Sequence, residues 1–293
     1  MHLAGRRLLN PPRSAYDVTT MNRIFRIGDL ELNALSDGTL KTSLDFVLGM
    51  ERAQSEKLVG GTSDGSISIP VNNFLFRRDG ATVLIDAGAG NTMQPTLGKL
   101  PANLKAAGID PAEITHIVLT HLHPDHANGL VNDKGEAVYP HAELLVHARE
   151  ADFWMAENEA TQSDAVKRTR ARNKINLQPY GSRIRRMREG EEMLGCTPIL
   201  AAGHSPGHTC WRIGAGREAF IAWGDLVHFA GVQIAHPATA VKYDLDPDEA
   251  RESRLRMFDM IATDGFAIAC AHVAAPGFGY LRRSGAGYNF EPA

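Results

Sequence analysis

With 293 residues, of which 43% are hydrophobic and 22% charged, the chain has the composition of a globular protein with a substantial core. A formal net charge of -3 gives no sign of a nucleic-acid or membrane partner, which would favour a basic surface, and no apolar run approaches the ~18 residues of a membrane helix. Three cysteines without paired spacing are typical of reduced thiols in a cytoplasmic protein.

The beginning of the chain and one internal stretch are predicted to lack regular structure. Residues 1–22 are broken by a pair of prolines and contain no apolar run of secretory length, so we expect a loosely ordered arm before a single domain at residues 23–293. The strand-rich region that follows has a predicted turn at Asp37-Gly38. Residues 45–64 mix polar and apolar types, which predicts a mobile loop able to cover a site.

Apolar runs of strand length alternate with helical segments along the rest of the chain. The expected strands lie at residues 71–76, 81–85, 117–119, 142–146, 183–188, 197–202, 211–213, 219–223 and 266–271. The expected helices lie at residues 97–107, 149–157, 161–175 and 248–262. Because no linker rich in Pro, Gly or Ser separates the two halves, this pattern predicts one α/β domain built from two packed β-rich halves.

Three histidines and an aspartate stand within six residues directly after the apolar run at residues 117–119. They are His121, His123, Asp125 and His126, and they leave the end of a buried strand, where α/β proteins place their ligands. Imidazole and carboxylate together suit zinc or a similar divalent ion better than calcium or magnesium. Since His121 and His123 project to one side of an extended segment while Asp125 and His126 point elsewhere, we expect two adjacent metal ions.

Other polar residues also stand where an apolar run stops. His204, Asp225 and His272 are in such places, and each alone is more typical of a hydrogen-bonded structural residue. A fold that stacks strand ends on one edge would bring them to the first cluster, where they supply the ligands that two metals still lack. Asp86 also ends a strand, either as a turn residue or as a partner that orients a ligand histidine.

These motifs together resemble a known family signature. The matching segments are His121-x-His123-x-Asp125-His126, Gly203-His204-Ser205-Pro206-Gly207-His208, Gly224-Asp225 and His272. They resemble the metallo-β-lactamase-fold hydrolases, which implies an αββα four-layer sandwich with the site on one edge. The resemblance assigns one metal to His121, His123 and His204 and the other to Asp125, His126 and His272. It also implies that Asp225 bridges both metals and that His208 lies behind the ligands.

The branch of the family is narrowed by the segment at residues 81–107, which is similar to methyl parathion hydrolase and its lactonase-like relatives. In that branch the position of Trp154 lines the leaving-group pocket, and Phe153 beside it is a second pocket candidate. Lactamases commonly have Cys near the position of Asp225, so the Asp argues against antibiotic hydrolysis. Lactonases often have Tyr three residues later; here His228 either donates a proton or hydrogen bond, or is only a wall or surface residue.

The resemblance implies a dinuclear-metal hydrolase in which a metal-bridging hydroxide cleaves lactones or aryl esters, with organophosphate triesters as a further class. Asp125 and Asp225 would serve catalysis through the metals. Zinc is expected, with Mn²⁺, Co²⁺ and Fe²⁺ as alternatives, and the expected partners are a small apolar substrate and a second copy of the chain in a homodimer. Two alternatives stay open: a metal-dependent nuclease of the same fold, and a non-catalytic metal-binding or sensor module with a closed site.

Overall fold

Two stacked β-sheets with helices on both outer faces form the described part of the chain, residues 23–60, 64–157 and 162–293 of a computed structural model. The predicted arm at residues 1–22 lies outside the described residues. The strands are β1 (Arg23–Ile27), β2 (Leu30–Ser43), β3 (Val47–Leu48), β4 (Ser66–Arg78), β5 (Ala81–Ile85), β6 (His116–Val118), β7 (Glu143–His147), β8 (Ile184–Met187), β9 (Cys196–Leu200), β10 (Thr209–Ile213), β11 (Phe220–Ala222), β12 (Ala240–Val241), β13 (Ala267–Ala269), β14 (Phe278–Ser284) and β15 (Gly287–Pro292). The helices are α1 (Arg52–Val59), α2 (Leu100–Ala106), α3 (Pro124–Ala127), α4 (Ala148–Trp154), α5 (Asp164–Leu177), α6 (Ala230–Gln233) and α7 (Pro247–Asp264).

Each large sheet contains neighbouring parallel strands. The first sheet has the order β1-β2-β4-β5-β6-β7-β8, and β5 to β8 are parallel neighbours. The second has the order β15-β14-β13-β11-β10-β9, in which β11 and β13 are parallel. A small third sheet pairs β12 with β3. Because parallel strands end at the same edge, the loops after β5 and β6 meet there, and so do those after β11 and β13.

The central strands read as continuous apolar runs because both of their faces are buried. In β6, Ile117 packs under the helices of the first half, whereas Val118 packs between the two sheets. On the outer face of the second sheet, Met257, Phe258 and Ile261 of α7 cover the core at helical spacing. Three apolar layers therefore separate helices, sheet, sheet and helices, and the predicted αββα four-layer sandwich is confirmed.

Two local predictions for the first half of the chain are wrong. Asp37-Gly38 forms no turn but lies inside β2, at a β-bulge where Gly38 has φ 116°. The Asp37 carboxylate accepts hydrogen bonds there from the backbone N–H groups of Ala89, Gly98 and Leu100, between the end of β5 and the start of α2. The stretch at residues 45–64 contains β3 and α1, and packing of Val59 on an apolar cluster adds to the helix-forming tendency of the residues in α1. Residues 61–63 of that stretch lie outside the described residues.

Candidate metal centre

Four of the predicted ligands meet at the edge where the strands end. They come from the loop after β6, the connection between β9 and β10, and the loop after β11, and they are His121, His123, His204 and Asp225. Their candidate ligand atoms all lie within 4.8 Å of one another. We call these residues the first histidine group. All are buried except His123, which is half-buried at the edge of a cavity.

The other predicted ligands form a second histidine group beside the first. They are Asp125 and His126 at the start of α3, His272 after β13, and again Asp225. Their candidate ligand atoms also lie within 4.8 Å of one another. The turn into α3 brings Asp125 and His126 to His272, while the His126 ring stays beside that of His121, with the centroids 4.2 Å apart. The structure thus brings all seven predicted residues to one place and sorts them into the two predicted sets.

The Asp225 carboxylate faces both groups, one oxygen to each. Its Oδ2 lies 3.6 Å from Nε2 of His121 and 3.2 Å from Nε2 of His204. Its Oδ1 lies 2.9 Å from Nε2 of His126 and 3.0 Å from Nε2 of His272. Burial opposes the charge on Asp225, but the surrounding histidines outweigh it and hold its pKa well below the usual value.

Hydrogen bonds at the outward nitrogens fix the orientation of three of these imidazole rings. Nδ1 of His126 donates to Asp86 Oδ2 at 2.7 Å, Nδ1 of His204 to Asp244 Oδ1 at 3.1 Å, and Nδ1 of His272 to the Pro70 carbonyl at 2.8 Å. Since each acceptor can only accept, Nδ1 carries a proton, and Nε2 is the ring nitrogen that points inward and is left to bind a cation. Partners of this kind orient histidines that bind metals.

Several inward atoms form no well-aligned hydrogen bond among the described residues, although some of them lie close to one another. These buried atoms are Nε2 of His121, His126 and His272 and Oδ1 of Asp225, with Nε2 of His126 2.9 Å and Nε2 of His272 3.0 Å from that oxygen. A buried polar atom without a good partner costs about 1–3 kcal/mol, and a cation bound between these atoms would remove that cost. The donors are imidazole nitrogens and carboxylate oxygens, which fit divalent ions of the zinc type. The residues present therefore fit the metals that the sequence predicts.

Asp86 connects to both groups. Besides His126, it accepts hydrogen bonds from the Thr120 backbone N–H at 2.8 Å and hydroxyl at 2.9 Å. The same hydroxyl lies 3.0 Å from His121 Nδ1 and, because it donates to Asp86, accepts from that nitrogen. Asp86 itself has φ 58°, a strained value for a residue with a side chain, and such strain gathers at functional sites. The side chain is thus a partner of ligand histidines and not only a turn residue.

His208 lies behind Asp225, where the resemblance implies. Its Nδ1 donates to the Ala201 carbonyl at 2.9 Å, and its Nε2 accepts from the Asp225 backbone N–H at 2.9 Å. Burial lowers its pKa to about 3, so the ring stays neutral and can accept that bond. A Cβ on Gly224, whose φ is 53°, would lie 2.7 Å from His208 Nε2. Glycine there lets the Asp225 loop approach the ring.

A cavity of about 440 Å³ opens onto both groups. Its wall includes His123 and Asp125 and an apolar surface of Leu40, Phe46, Met93, Trp154, Val166 and Leu245. The Trp154 ring lies 5.4 Å from that of His123, between centroids. Phe153 is not part of this wall: its ring packs edge-on against that of Trp154, and the Arg170 guanidinium lies 4.6 Å above it. Successive helical residues point in different directions, which corrects the prediction of Phe153 as a pocket residue.

His228 is buried in the cavity wall beside Asp225. Its Nε2 lies 3.0 Å from Asp225 Oδ2, and its ring stacks on His272 with the centroids 5.3 Å apart. Tyr243 covers the other side at 5.2 Å. Burial lowers the pKa of His228, which favours the neutral ring. Of the two predicted places for this residue, the wall or the surface, the structure gives the wall.

Sequence reasoning missed two buried carboxylates around the site. Asp244 holds His204, as described above, and Glu150 in α4 bonds to loops that carry ligands. Nothing in the sequence around Asp244 indicates that its side chain is buried beside the candidate ligands. Glu150 has one weak signal, because it stands four residues before Trp154 and therefore on the same, buried face of the helix.

The comparisons with known proteins agree with this geometry. The family model described as the metallo-beta-lactamase superfamily matches residues 67–272, which is more than half of the chain. The chain belongs to the metallo-β-lactamase superfamily. The matched range ends at His272 and includes all seven residues of the two groups.

Solved structures of this superfamily share the fold over nearly the whole chain. A crystal structure of the hydrolase AbOPH of the beta lactamase superfamily is 31% identical with a TM-score of 0.89, and the match covers 94% of this chain and 98% of that one. AidC, a dizinc quorum-quenching lactonase, is 25% identical with a TM-score of 0.85 over 93% of this chain and 97% of that one. The predicted class, a metal-dependent hydrolase of the metallo-β-lactamase superfamily, is confirmed at this level.

A shorter match agrees with the family. Metallo-beta-lactamase domain-containing protein 1 of Xenopus laevis is 34% identical over 89 residues, which are 29% of this chain and 34% of that protein. The match thus spans about a third of the relative's length.

Among the described residues of this superfamily member, no helix is long and apolar enough to cross a membrane.

Proposed function

We propose that this protein is a dinuclear-metal hydrolase of lactones or aryl esters. The observation that supports it most is the Asp225 carboxylate, which turns one oxygen to each of two adjacent histidine groups. A carboxylate that faces two sets of imidazoles is suited to hold two cations a few ångströms apart. The similarity to AbOPH, a hydrolase, and to AidC, a dizinc lactonase, supports the same reaction class.

In this proposal the residues divide as the sequence predicts. His121, His123 and His204 hold one ion. Asp125, His126 and His272 hold the other, and Asp225 binds both. When bound, a pair of divalent ions supplies an activated water and polarises the oxygen of the substrate carbonyl or phosphoryl group. Burial and the neighbouring histidines hold the pKa of His121 and His123 well below the usual value, so these rings are neutral and need not lose a proton to bind.

The cavity is suited to a small apolar substrate. A volume of about 440 Å³ lies in the range of small-molecule sites, and Phe46, Trp154 and Leu245 offer apolar surface to an acyl or aryl group. Its floor carries Asp125 and Asp225, so the group to be cleaved would lie at the metals while the apolar part rests on the wall. Phosphotriesters with the same apolar groups are included as a further substrate class.

His228 has a role in this proposal that depends on the leaving group. An alkoxide needs a proton to depart, whereas an aryloxide does not. His228 lies in the cavity wall with Nε2 directed to Asp225 Oδ2, so its N–H is close to where the bond would break. We assign it the donation of a hydrogen bond or proton to a leaving alkoxide.

The proposed function is tested by metal content and by hydrolysis together. Purified protein is expected to contain about two ions per chain by elemental analysis, and a chelator is expected to abolish hydrolysis of a chromogenic lactone or aryl ester, with zinc restoring it ahead of Mn²⁺, Co²⁺ or Fe²⁺. One tightly held ion without turnover would favour the sensor alternative. Cleavage of RNA in place of esters would favour the nuclease. The molecular mass in solution tests the predicted homodimer.

A further inference from the structure

Glu150 is a fully buried carboxylate that accepts four hydrogen bonds. Its Oε1 accepts from the Leu122 backbone N–H at 2.8 Å and from Trp154 Nε1 at 2.6 Å. Its Oε2 accepts from the Ser205 hydroxyl at 2.6 Å and from the Gly207 backbone N–H at 3.0 Å. The residue is 0% exposed, so these four donors replace all of its water. Each oxygen is thus fully used.

The four donors belong to the three segments that build the site. Leu122 lies between His121 and His123 in the loop after β6. Ser205 and Gly207 lie in the β9–β10 connection directly after His204. Trp154 forms the cavity wall beside His123. One side chain therefore joins the two loops that carry the histidines of the first group to Trp154 in the cavity wall.

The backbone around Glu150 is closely packed on two sides. A Cβ on Gly207 would lie 2.0 Å from the Glu150 backbone nitrogen, so the β9–β10 connection lies directly against α4. On the other side, Asn173 Nδ2 donates to the Leu122 carbonyl at 2.9 Å. Both backbone polar groups of Leu122 are thus held by side chains that are not candidate metal ligands.

Only a carboxylate satisfies this set of donors. Three of the four are N–H groups that cannot accept, and the fourth is a hydroxyl. A glutamine offers one oxygen for two of the donors and turns an NH₂ group toward the other two. If that NH₂ faces Ser205 and Gly207, the hydroxyl can turn and accept, but the Gly207 N–H is left buried and unpaired.

We propose that Glu150 is a positioning residue that fixes the loop after β6, the β9–β10 connection and Trp154 in one geometry before a metal binds. The affinity of the first histidine group for its ion and the shape of the substrate cavity then depend on the same carboxylate. This inference rests on the proposed dinuclear site.

The test compares zinc binding to the metal-free wild type and to Glu150→Gln, by competition with a chromophoric chelator. We expect one of the two zinc ions to bind about 10–100-fold more weakly in the variant, because partners that orient ligands have effects of this size, and the other to change little. In the zinc-loaded variant, KM for an aryl ester should rise because Trp154 loses its anchor. Unfolding of both metal-free proteins is followed alongside.

Asp37→Asn is the matched control. Asp37 is also 0% exposed and accepts from three backbone N–H groups, those of Ala89, Gly98 and Leu100, but it contacts neither loop of the first histidine group. It should lower the free energy of unfolding by a similar amount and leave both zinc affinities unchanged. If Glu150→Gln fails to fold, Ser205→Ala removes one donor and should weaken the same zinc ion by a smaller factor.

The outcomes separate this inference from the proposed function. Two zinc ions in the wild type, with one weakened by Glu150→Gln and neither by Asp37→Asn, would support both. Two zinc ions bound equally well by the wild type and Glu150→Gln, or by the wild type and Ser205→Ala where that variant is used, would overturn the role of Glu150 alone. Equal weakening by Asp37→Asn would also overturn it, because any loss of stability would then suffice. A wild type that binds no zinc would overturn the proposed function and this inference with it.

Discussion

The two histidine groups use the same ligand types in different surroundings. In the first, His123 and His204 line the cavity, and His123 is half-buried. In the second, His126 and His272 lie away from the cavity wall, and the outward nitrogens are held by the Asp86 carboxylate and the Pro70 carbonyl. In the proposed reaction, substrate would therefore meet the first group directly, whereas the second group reaches the cavity through Asp125 and Asp225.

The number of carboxylates distinguishes the groups as well. The first group has only Asp225 among its candidate ligands, whereas the second has Asp125 and Asp225. Burial opposes the charge on a histidine in both groups, but carboxylates outweigh it, raising the pKa of His204 to about 9 and that of His126 well above the usual value. Because two carboxylates offset more of the charge of a divalent ion than one, we expect the second group to bind its metal more tightly than the first.

Removing the carboxylate that the two groups share should have the largest effect on activity, because it changes both groups at once. Asp225→Asn leaves one oxygen and no charge between the two groups, so turnover of an aryl ester should fall on the order of 10³-fold, about 4 kcal/mol. The free energy of unfolding of the metal-free protein should change by only about 1 kcal/mol. Steady-state kinetics and denaturant unfolding measure the two. Unchanged turnover would refute the bridging role.

A change at His228 tests the first group from the cavity side. The His228 ring faces Asp225 Oδ2, the oxygen that is turned to the first group. His228→Asn should slow hydrolysis of an alkyl lactone on the order of 10²-fold, since the alkoxide loses its donor. Hydrolysis of an aryl ester with a good leaving group should change by less than about threefold by the same reasoning. The ratio of kcat values for the two substrates is the measurement. An equal loss on both would exclude proton or hydrogen-bond donation to the leaving group.

The partners of the outward nitrogens allow metal binding to be weakened in one group or in both, with smaller effects. Among the candidate ligands Asp244 bonds only to His204, while its other oxygen accepts from the Val241 backbone N–H and faces Arg254, so Asp244→Asn should weaken binding of the ion of the first group by about 10-fold. Asp86→Asn touches His126 directly and His121 through Thr120, so both ions should bind about 10–100-fold more weakly. Two-site zinc titrations of the metal-free proteins report both affinities. A loss confined to the same ion in both variants would contradict this division.

Much of the fold and the whole set of candidate ligands can be read from the sequence. Strands buried on both faces leave apolar runs, and the chemistry of a metal site demands His and Asp where such runs end. That is why His121 and His272 could be grouped although 150 residues separate them. Residue types in this pattern also identify the family, and the family implies the four layers. The arm at residues 1–22, the single domain at residues 23–293, the identity of the metal as zinc, the homodimer and the cytoplasmic location stay predictions.

Only the tertiary structure decides which side chains touch. The pattern around Asp37-Gly38 is that of a turn, yet a loop from elsewhere in the chain uses the Asp37 carboxylate and keeps the segment in a strand. Phe153 and Trp154 are adjacent aromatics in the sequence, yet only Trp154 faces the cavity. Glu150 looks like an ordinary helical glutamate until its four donors are seen. Strand and helix periodicity, and the residue types that a metal site requires, can be recognised within short segments of the sequence. The partners of a buried carboxylate come from remote segments that only packing brings together.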